Sequence, residues 1–236
     1  MAIYEYTVRV RYNEVDEKSS LTDTALLDLL QNCSTFQCED MGVGVDYYRE
    51  IGKAWVLSSW QIVIDRRPRL GESLRIQTWS TGIKRALGSR NYRMIDADGN
   101  TVVYAYSLWA YIDTATMLMA ECPQNEIDIF GISEPLPMKV LPRRIKLMED
   151  MTEHEPMEVK YYFIDTNHHM NNAKYVMAAT EFLPEGFEAK TIRVEYIKSA
   201  RLGDVIYPRT HVSGEEVTVC MADAEGNTYA TVQFLV

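Results

Sequence analysis

Apolar and polar residues along this chain form two similar series, each with one helix-like segment followed by four segments of strand-like alternation. Alternation with a period of two is typical of strands that bury one face, and apolar residues three or four apart indicate a helix. The predicted helices cover residues 22–41 and 172–182. The predicted strands cover residues 54–66, 73–84, 89–96 and 101–113 in the first series and 188–199, 205–213, 216–223 and 228–236 in the second. A helix beside an antiparallel sheet in each series predicts an α+β fold.

The two series also repeat one another in sequence. The matching stretches are 10–21 with 159–170, 69–72 with 201–204, and 96–101 with 223–228. Three matches in the same order predict two tandem repeats, at residues 1–115 and 157–236. Five prolines fall between the repeats and predict an irregular connector at residues 116–156.

Composition and charge narrow the class of protein. The chain has 236 residues, 47% of them hydrophobic, which is typical of a packed globular protein. A net charge of −10 argues against binding to nucleic acid or to an anionic membrane. The four cysteines lack metal-ligand spacing, so we expect free, buried thiols in a reducing compartment. No signal peptide and no membrane-spanning apolar run is visible, which predicts a soluble, cytoplasmic protein.

One short polar segment carries most of the candidate chemistry. It runs from Asp165 to Tyr175, follows a β-type run at residues 157–164 and enters the second predicted helix. Histidine side chains, such as that of His169, can accept a proton near neutral pH. The amide of Asn167 can both donate and accept hydrogen bonds. Asp165 is a candidate to orient both side chains or to act as the base itself. Backbone N–H groups at the helix start are candidate oxyanion donors.

The spacing Asp-x-Asn-x-His-x-Asn-Asn-x-x-Tyr resembles the active-site signature of the acyl-acyl-carrier-protein thioesterases. Its residues here are Asp165, Asn167, His169, Asn171, Asn172 and Tyr175. The resemblance implies two tandem hotdog repeats, each a long helix packed on an antiparallel sheet, in a double-hotdog architecture. It also implies hydrolysis of the thioester between a fatty acyl chain and a carrier protein's phosphopantetheine arm, terminating fatty acid synthesis without metal or cofactor. Asp165, Asn167 and His169 match the family's catalytic residues.

Two departures qualify the resemblance. Plant members carry a Glu-Cys pair shortly after Glu-Tyr, whereas here Ser199 and Ala200 follow Glu195-Tyr196. A cysteine nucleophile is therefore absent at that position, and the carboxylate's role falls elsewhere or is dispensable. Plant members also carry a plastid transit segment that this chain lacks, which indicates a bacterial member. We expect general-base attack by water, and an Asp165 nucleophile with an anhydride intermediate remains an alternative.

The first repeat does not repeat this chemistry. Asp16, Lys18 and Ser20 stand opposite the three catalytic candidates, so we expect one active site per chain, in the second repeat. The first repeat is then expected to supply the acyl-chain pocket, as the resemblance implies. The expected substrate-binding residues are Asn171, Asn172, Tyr175, Trp55, Leu57 and Ser199.

The expected partner is an acidic acyl carrier protein, which requires a local basic surface. Residues 65–93 contain eight Lys and Arg but only two acidic residues. The alternative interpretation of these charges is a solvated strand surface, because alternate strand residues face opposite sides. The expected docking residues are Arg66, Arg67, Arg69, Lys84 and Arg85.

The alternative functions are those of an acyl-CoA thioesterase, a hotdog dehydratase and a non-catalytic acyl-binding protein. We expect a monomer or a homodimer.

Overall fold

The computed structural model describes residues 3–236 and divides the chain into two compact units. Of the described residues, the first unit contains those up to Ser58 together with Ile64–Val140, and the second contains Ser59–Val63 and Leu141–Val236. The boundary near residue 140 lies inside the expected connector. The repeat limits at 115 and 157 stay a prediction.

The first unit packs one long helix on an antiparallel sheet. Its elements are β1 (Tyr4–Arg9), α1 (Asp23–Asp40), α2 (Val45–Glu50), β2 (Lys53–Ile64), β3 (Ser73–Lys84), β4 (Leu87–Ile95), β5 (Thr101–Asp113) and α3 (Gln124–Phe130). The strand order is β1-β3-β4-β5-β2, and α1 contacts β1 and β3. The predicted bounds of β3 and β5 are confirmed.

Helix α1 forms where its sequence supplies both a cap and an apolar stripe. The hydroxyl of Thr22 accepts the Ala25 N–H at 3.2 Å and so caps the helix start. Leu26, Leu30 and Cys33 are fully buried in the core. Burying one such leucine stabilises the fold by about 1.5–3 kcal/mol relative to leaving it exposed.

The second unit repeats this plan with a shorter helix. Its elements are β6 (Thr152–Glu153), β7 (Met157–Glu158), α4 (Asn172–Thr180), β8 (Thr191–Tyr196), β9 (Val205–Ser213), β10 (Glu216–Ala222) and β11 (Thr228–Leu235). The segment Ser59–Val63 of β2 begins the order β2-β8-β11-β10-β9-β6, and β7 also pairs with β9. Helix α4 has nine residues where α1 has 18, so the expectation of a long helix holds only for the first repeat.

Two local expectations need correction. The predicted β-type run at residues 157–164 is confirmed only for Met157–Glu158. The prediction is wrong beyond Glu158, because Tyr161–Phe163 form a 3-10 turn. This turn brings Ile164 into a bridge with Met170, which closes the polar loop between them. The connector, expected to be irregular, contains α3, which begins after Pro123 and ends at Gly131 with a φ of 63°.

The buried side chain of Glu126 holds α3 in place. Its carboxylate accepts hydrogen bonds from the hydroxyls of Tyr48 at 3.0 Å and Tyr111 at 2.6 Å. These contacts join residues far apart in sequence. The local pattern of apolar and polar residues therefore did not predict α3.

The structure also bears on the expectations for the cysteines and for membrane-spanning segments. All four cysteines are free, and three are buried while Cys38 is half-buried. Within residues 3–236, no helix is both long and apolar enough to cross a membrane. The compartment stays a prediction.

Candidate active site

The polar segment forms a tight loop between Ile164 and Met170. The Asp165 N–H donates to the His169 carbonyl at 2.9 Å, and the His168 N–H donates to the Asp165 carbonyl at 3.1 Å. His168 adopts a φ of 60°, in the left-handed region that few residues other than glycine favour. His168 therefore shapes the turn, and its side chain is exposed.

The carboxylate of Asp165 organises the backbone of this loop. Its Oδ1 accepts the N–H of Asn167 at 2.8 Å and the N–H of His169 at 3.4 Å. The structure thus brings the three catalytic candidates together on one loop, with Asn167 exposed and His169 half-buried. The contacts of Asp165 are to backbone groups and leave the amide and the imidazole for other partners.

Asn171 and Asn172 shape the entrance to α4. The side chain of Asn171 caps the helix by accepting the Ala173 N–H at 2.9 Å, and its carbonyl accepts the Lys174 N–H at 2.9 Å. These bonds occupy two of the helix-start N–H groups that were candidate oxyanion donors. The Asn172 carbonyl accepts the Tyr196 hydroxyl at 3.0 Å. A substrate contact by either asparagine stays a prediction.

Tyr175 connects α4 to the turn that follows β8. Its side chain is buried, and its hydroxyl accepts the Ala200 N–H at 2.9 Å. The Ala200 carbonyl in turn accepts the Met170 N–H at 2.8 Å, at the end of the polar loop. Burial, reinforced by the charges of Asp204 and Asp165, raises the pKa of Tyr175 to about 12. Ser199, next to Ala200, is exposed.

The carboxylate of Glu195 contacts the connector. It is buried on β8, where its Oε2 accepts the Ile145 N–H at 3.0 Å and its Oε1 lies 3.7 Å from Arg143. Its neighbour Tyr196 packs on Tyr175 with ring centroids 5.9 Å apart. Because successive strand side chains face opposite sides, Glu195 faces the connector and not α4.

The first repeat contains a loop of the same build. Oδ1 of Asp16 accepts the N–H groups of Lys18 and Ser20, each at 2.9 Å, and Ser19 has a φ of 60°. The Leu21 N–H donates to the Pro68 carbonyl at 2.8 Å. The sequence alignment of the two halves therefore corresponds to the same backbone geometry.

Trp55 and Leu57 both lie in the first unit. Leu57 is buried, and the ring of Trp55 lies 5.0 Å from that of Tyr111 between centroids. A Cβ on Gly88 would come within 3.0 Å of the Trp55 ring, so the glycine allows this close packing. A role in lining an acyl pocket stays a prediction.

The five expected docking residues differ in their surroundings. Arg66 pairs with Glu72 at 2.8 Å and Asp96 at 3.1 Å, and Arg67 pairs with Asp23 at 2.7 Å. Arg69 donates to a backbone carbonyl in the first loop, that of Lys18, at 2.9 Å. Lys84 and Arg85 are exposed at the turn between β3 and β4. Docking at all five stays a prediction, and the guanidinium groups of Arg66 and Arg67 already pair with carboxylates of this chain.

Sequence reasoning missed Tyr196 as a support of the site. Its hydroxyl bond to Asn172 joins β8 to the first turn of α4. No local pattern indicates this bond, because Tyr196 and Asn172 lie in separate elements. Among residues 3–236, no group of three His, Cys, Asp or Glu side chains is placed to hold a metal ion.

Comparison with solved structures places the fold. An acyl-ACP thioesterase from Bacteroides thetaiotaomicron has a TM-score of 0.91 and 27% identity, with 99% of this chain and 97% of that chain covered. A 12:0-ACP thioesterase from Umbellularia californica has a TM-score of 0.87 and 19% identity, with coverage of 99% and 96%. The α+β double-hotdog fold expected from the resemblance is confirmed.

Sequence comparison places the family. A chloroplastic palmitoyl-acyl carrier protein thioesterase from Gossypium hirsutum is 24% identical over 228 residues, covering 89% of this chain and 55% of the relative. The chain thus spans about half the length of that plant relative. The acyl-ACP thioesterase N-terminal domain profile matches residues 2–130, and the C-terminal domain profile matches residues 146–233. The chain belongs to the acyl-ACP thioesterase family.

Proposed function

We propose that this protein hydrolyses fatty acyl-carrier-protein thioesters to free fatty acid and carrier protein, and so terminates fatty acid synthesis. The observation that supports this most directly is the single loop that carries Asp165, Asn167 and His169 in a chain of this family. The plant relative from Gossypium hirsutum is named for the same reaction on palmitoyl-carrier protein.

In the proposed mechanism, His169 acts as the general base. It takes a proton from a water molecule whose oxygen attacks the thioester carbonyl carbon. The carbonyl oxygen becomes an oxyanion, and the amide of Asn167 donates a hydrogen bond to it. When the oxyanion collapses, the carbon–sulfur bond breaks and the phosphopantetheine thiolate takes the proton back from His169.

Asp165 is proposed to hold the loop in the reactive geometry. Its Oδ1 already accepts two backbone N–H groups, which favours an orienting role over a nucleophilic one. Asp16 makes the same two contacts in a loop that has neither an amide nor an imidazole at the matching positions. The first repeat is proposed to receive the acyl chain, with Trp55 and Leu57 in its lining.

The test is hydrolysis of a panel of acyl-carrier-protein thioesters, from octanoyl to stearoyl, by the wild type and by His169→Ala. We expect free fatty acid from the wild type and a loss of about 10²–10⁴-fold in kcat for the variant. The matched control is Ser20→Ala, the same position of the first loop, which should change kcat less than about twofold. Undiminished activity of His169→Ala would contradict the mechanism.

The carrier protein is the proposed partner, and Lys84 is the residue best placed to test it. Lys84→Glu should lower kcat/KM for acyl-carrier protein, because complementary charge mainly raises the association rate. The same substitution at Lys190, an exposed lysine of the second unit, is the control. Acyl-CoA thioesters are assayed in parallel, and a preference for them, or a salt-insensitive kcat/KM, would count against carrier docking.

A further inference from the structure

The link between Tyr175 and Ala200 distinguishes the two repeats. Tyr175 aligns with Leu26 of the first repeat, and Ala200 aligns with Pro68. In the first repeat a proline, which has no N–H, supplies the carbonyl that accepts the Leu21 N–H at 2.8 Å. In the second repeat Ala200 has a buried N–H, which the Tyr175 hydroxyl accepts at 2.9 Å.

The two repeats therefore differ at both members of this pair. A buried backbone N–H needs a hydrogen-bond partner, and a proline removes that need. In the first repeat, Pro68 has no N–H, and the aligned side chain of Leu26 is purely apolar. In the second repeat, Ala200 has an N–H, and the hydroxyl of Tyr175 accepts it. The hydroxyl of Tyr175 therefore has a defined structural partner instead of an open face toward substrate.

This partner lies one hydrogen bond away from the polar loop. The Ala200 carbonyl accepts the Met170 N–H at 2.8 Å, and Met170 pairs with Ile164 to close the loop. The His169 N–H, immediately before Met170, is held by Asp165 at 3.4 Å. Displacement of Ala200 would thus be transmitted through Met170 to the backbone of His169.

We infer that Tyr175 is a positioning residue, which holds the backbone of His169 through Ala200 and Met170 and does not bind substrate. This inference rests on the proposed function, because it concerns the geometry of the proposed base. Displacements of about 1 Å at a reacting group can lower rates about 10²-fold, so loss of the anchor should reduce kcat more than KM.

The first measurement is amide hydrogen exchange in the substrate-free protein, and it does not depend on activity. Tyr175→Phe should raise exchange of the Ala200 and Met170 amides about tenfold or more, because the Ala200 N–H loses its partner. The matching amide of Leu21 should be unchanged and serves as the internal control. Tyr6→Phe is the matched variant, because it removes a hydroxyl that donates to the Leu29 carbonyl at 2.8 Å in the first repeat.

The second measurement is steady-state kinetics at a temperature where each variant is folded. Tyr175→Phe should lower kcat about 10–100-fold with KM changed less than about threefold, and Tyr6→Phe should leave both unchanged. A Tyr175→Leu variant that also carries Ala200→Pro reproduces the pair of the first repeat. It should recover most of the kcat lost in Tyr175→Leu, which a general loss of stability would not produce.

The outcomes separate this inference from the proposed function. If the wild type hydrolyses thioesters and Tyr175→Phe leaves kcat and Met170 exchange unchanged, the positioning role is overturned. A rise in KM alone would also overturn it, in favour of substrate binding. If the wild type hydrolyses no acyl thioester, the proposed function fails, and amide exchange still decides whether Tyr175 holds the loop.

Discussion

The loops at residues 16–21 and 165–170 share a backbone and differ in side chains. In each, an aspartate Oδ1 accepts two backbone N–H groups, and a residue with a φ of 60° follows, Ser19 or His168. The shared features are therefore what the turn requires. Asn167 and His169 are not among them, since Lys18 and Ser20 occupy the same backbone positions.

The residues of the second loop therefore divide into those that the turn requires and those that are available for chemistry. The aspartate recurs because its carboxylate satisfies N–H groups that the turn leaves unpaired. The amide and the imidazole appear only in the second loop, where folding does not demand them. Side chains that the fold does not require are the better candidates for catalysis.

Substitution of Asn167 is expected to give the largest single-residue effect after that of His169. Asn167→Ala removes the proposed donor to the oxyanion and should lower kcat about 10²–10³-fold. Lys18→Ala, at the same position of the first loop, should leave kcat within about twofold. Steady-state hydrolysis of acyl-carrier protein measures both, and equal effects would remove the distinction between the loops.

The two aspartates should behave alike in stability and differently in activity. Asp165→Ala and Asp16→Ala each remove two backbone hydrogen bonds and should each lower the free energy of unfolding by about 1–2 kcal/mol. Only Asp165→Ala should also lower kcat, because only that loop carries the proposed base. Denaturant unfolding together with kinetics checks this, and a stable but inactive Asp165→Ala would indicate direct chemistry by Asp165.

The smallest expected effect concerns Tyr175 in the alkaline range. Burial raises its pKa from 10.0 to about 12, so it favours the neutral phenol in the folded protein. The contribution of Tyr175 to the free energy of unfolding is therefore complete below pH 10. It is lost as the pH rises toward 12, because the unfolded chain releases its phenol proton first. Leu26, its counterpart, does not titrate.

A difference titration measures this shift. The phenolate absorbance of the wild type minus that of Tyr175→Phe should rise near pH 12. A rise near the ordinary value of 10.0 would contradict the buried contact with Ala200.

The sequence predicted those parts of the fold that depend on local pattern. Alternation gave the bounds of β3, β5 and β9, and the repeat placed the polar loop before α4. The spacing of Asp165, Asn167 and His169 identified the candidate site, because the motif is contiguous in the chain.

The rest depends on contacts between distant residues. The burial of Glu195 against Ile145, the ion pair of Arg67 with Asp23 and the bond from Tyr196 to Asn172 join separate elements. A local pattern of charges therefore suggested a basic surface at residues 65–93, whereas the folded chain pairs several of those charges internally.

The most direct test of the central claim is an exchange of side chains between the loops. Asn167→Lys combined with His169→Ser gives the second loop the side chains of the first at these two positions, on a backbone geometry that both loops share. This variant should fold and lose at least about 10⁴-fold in kcat/KM for acyl-carrier protein. The reciprocal Lys18→Asn and Ser20→His variant should keep wild-type activity. A folded first variant that still hydrolyses thioester at the wild-type rate would contradict the assignment of catalysis to Asn167 and His169.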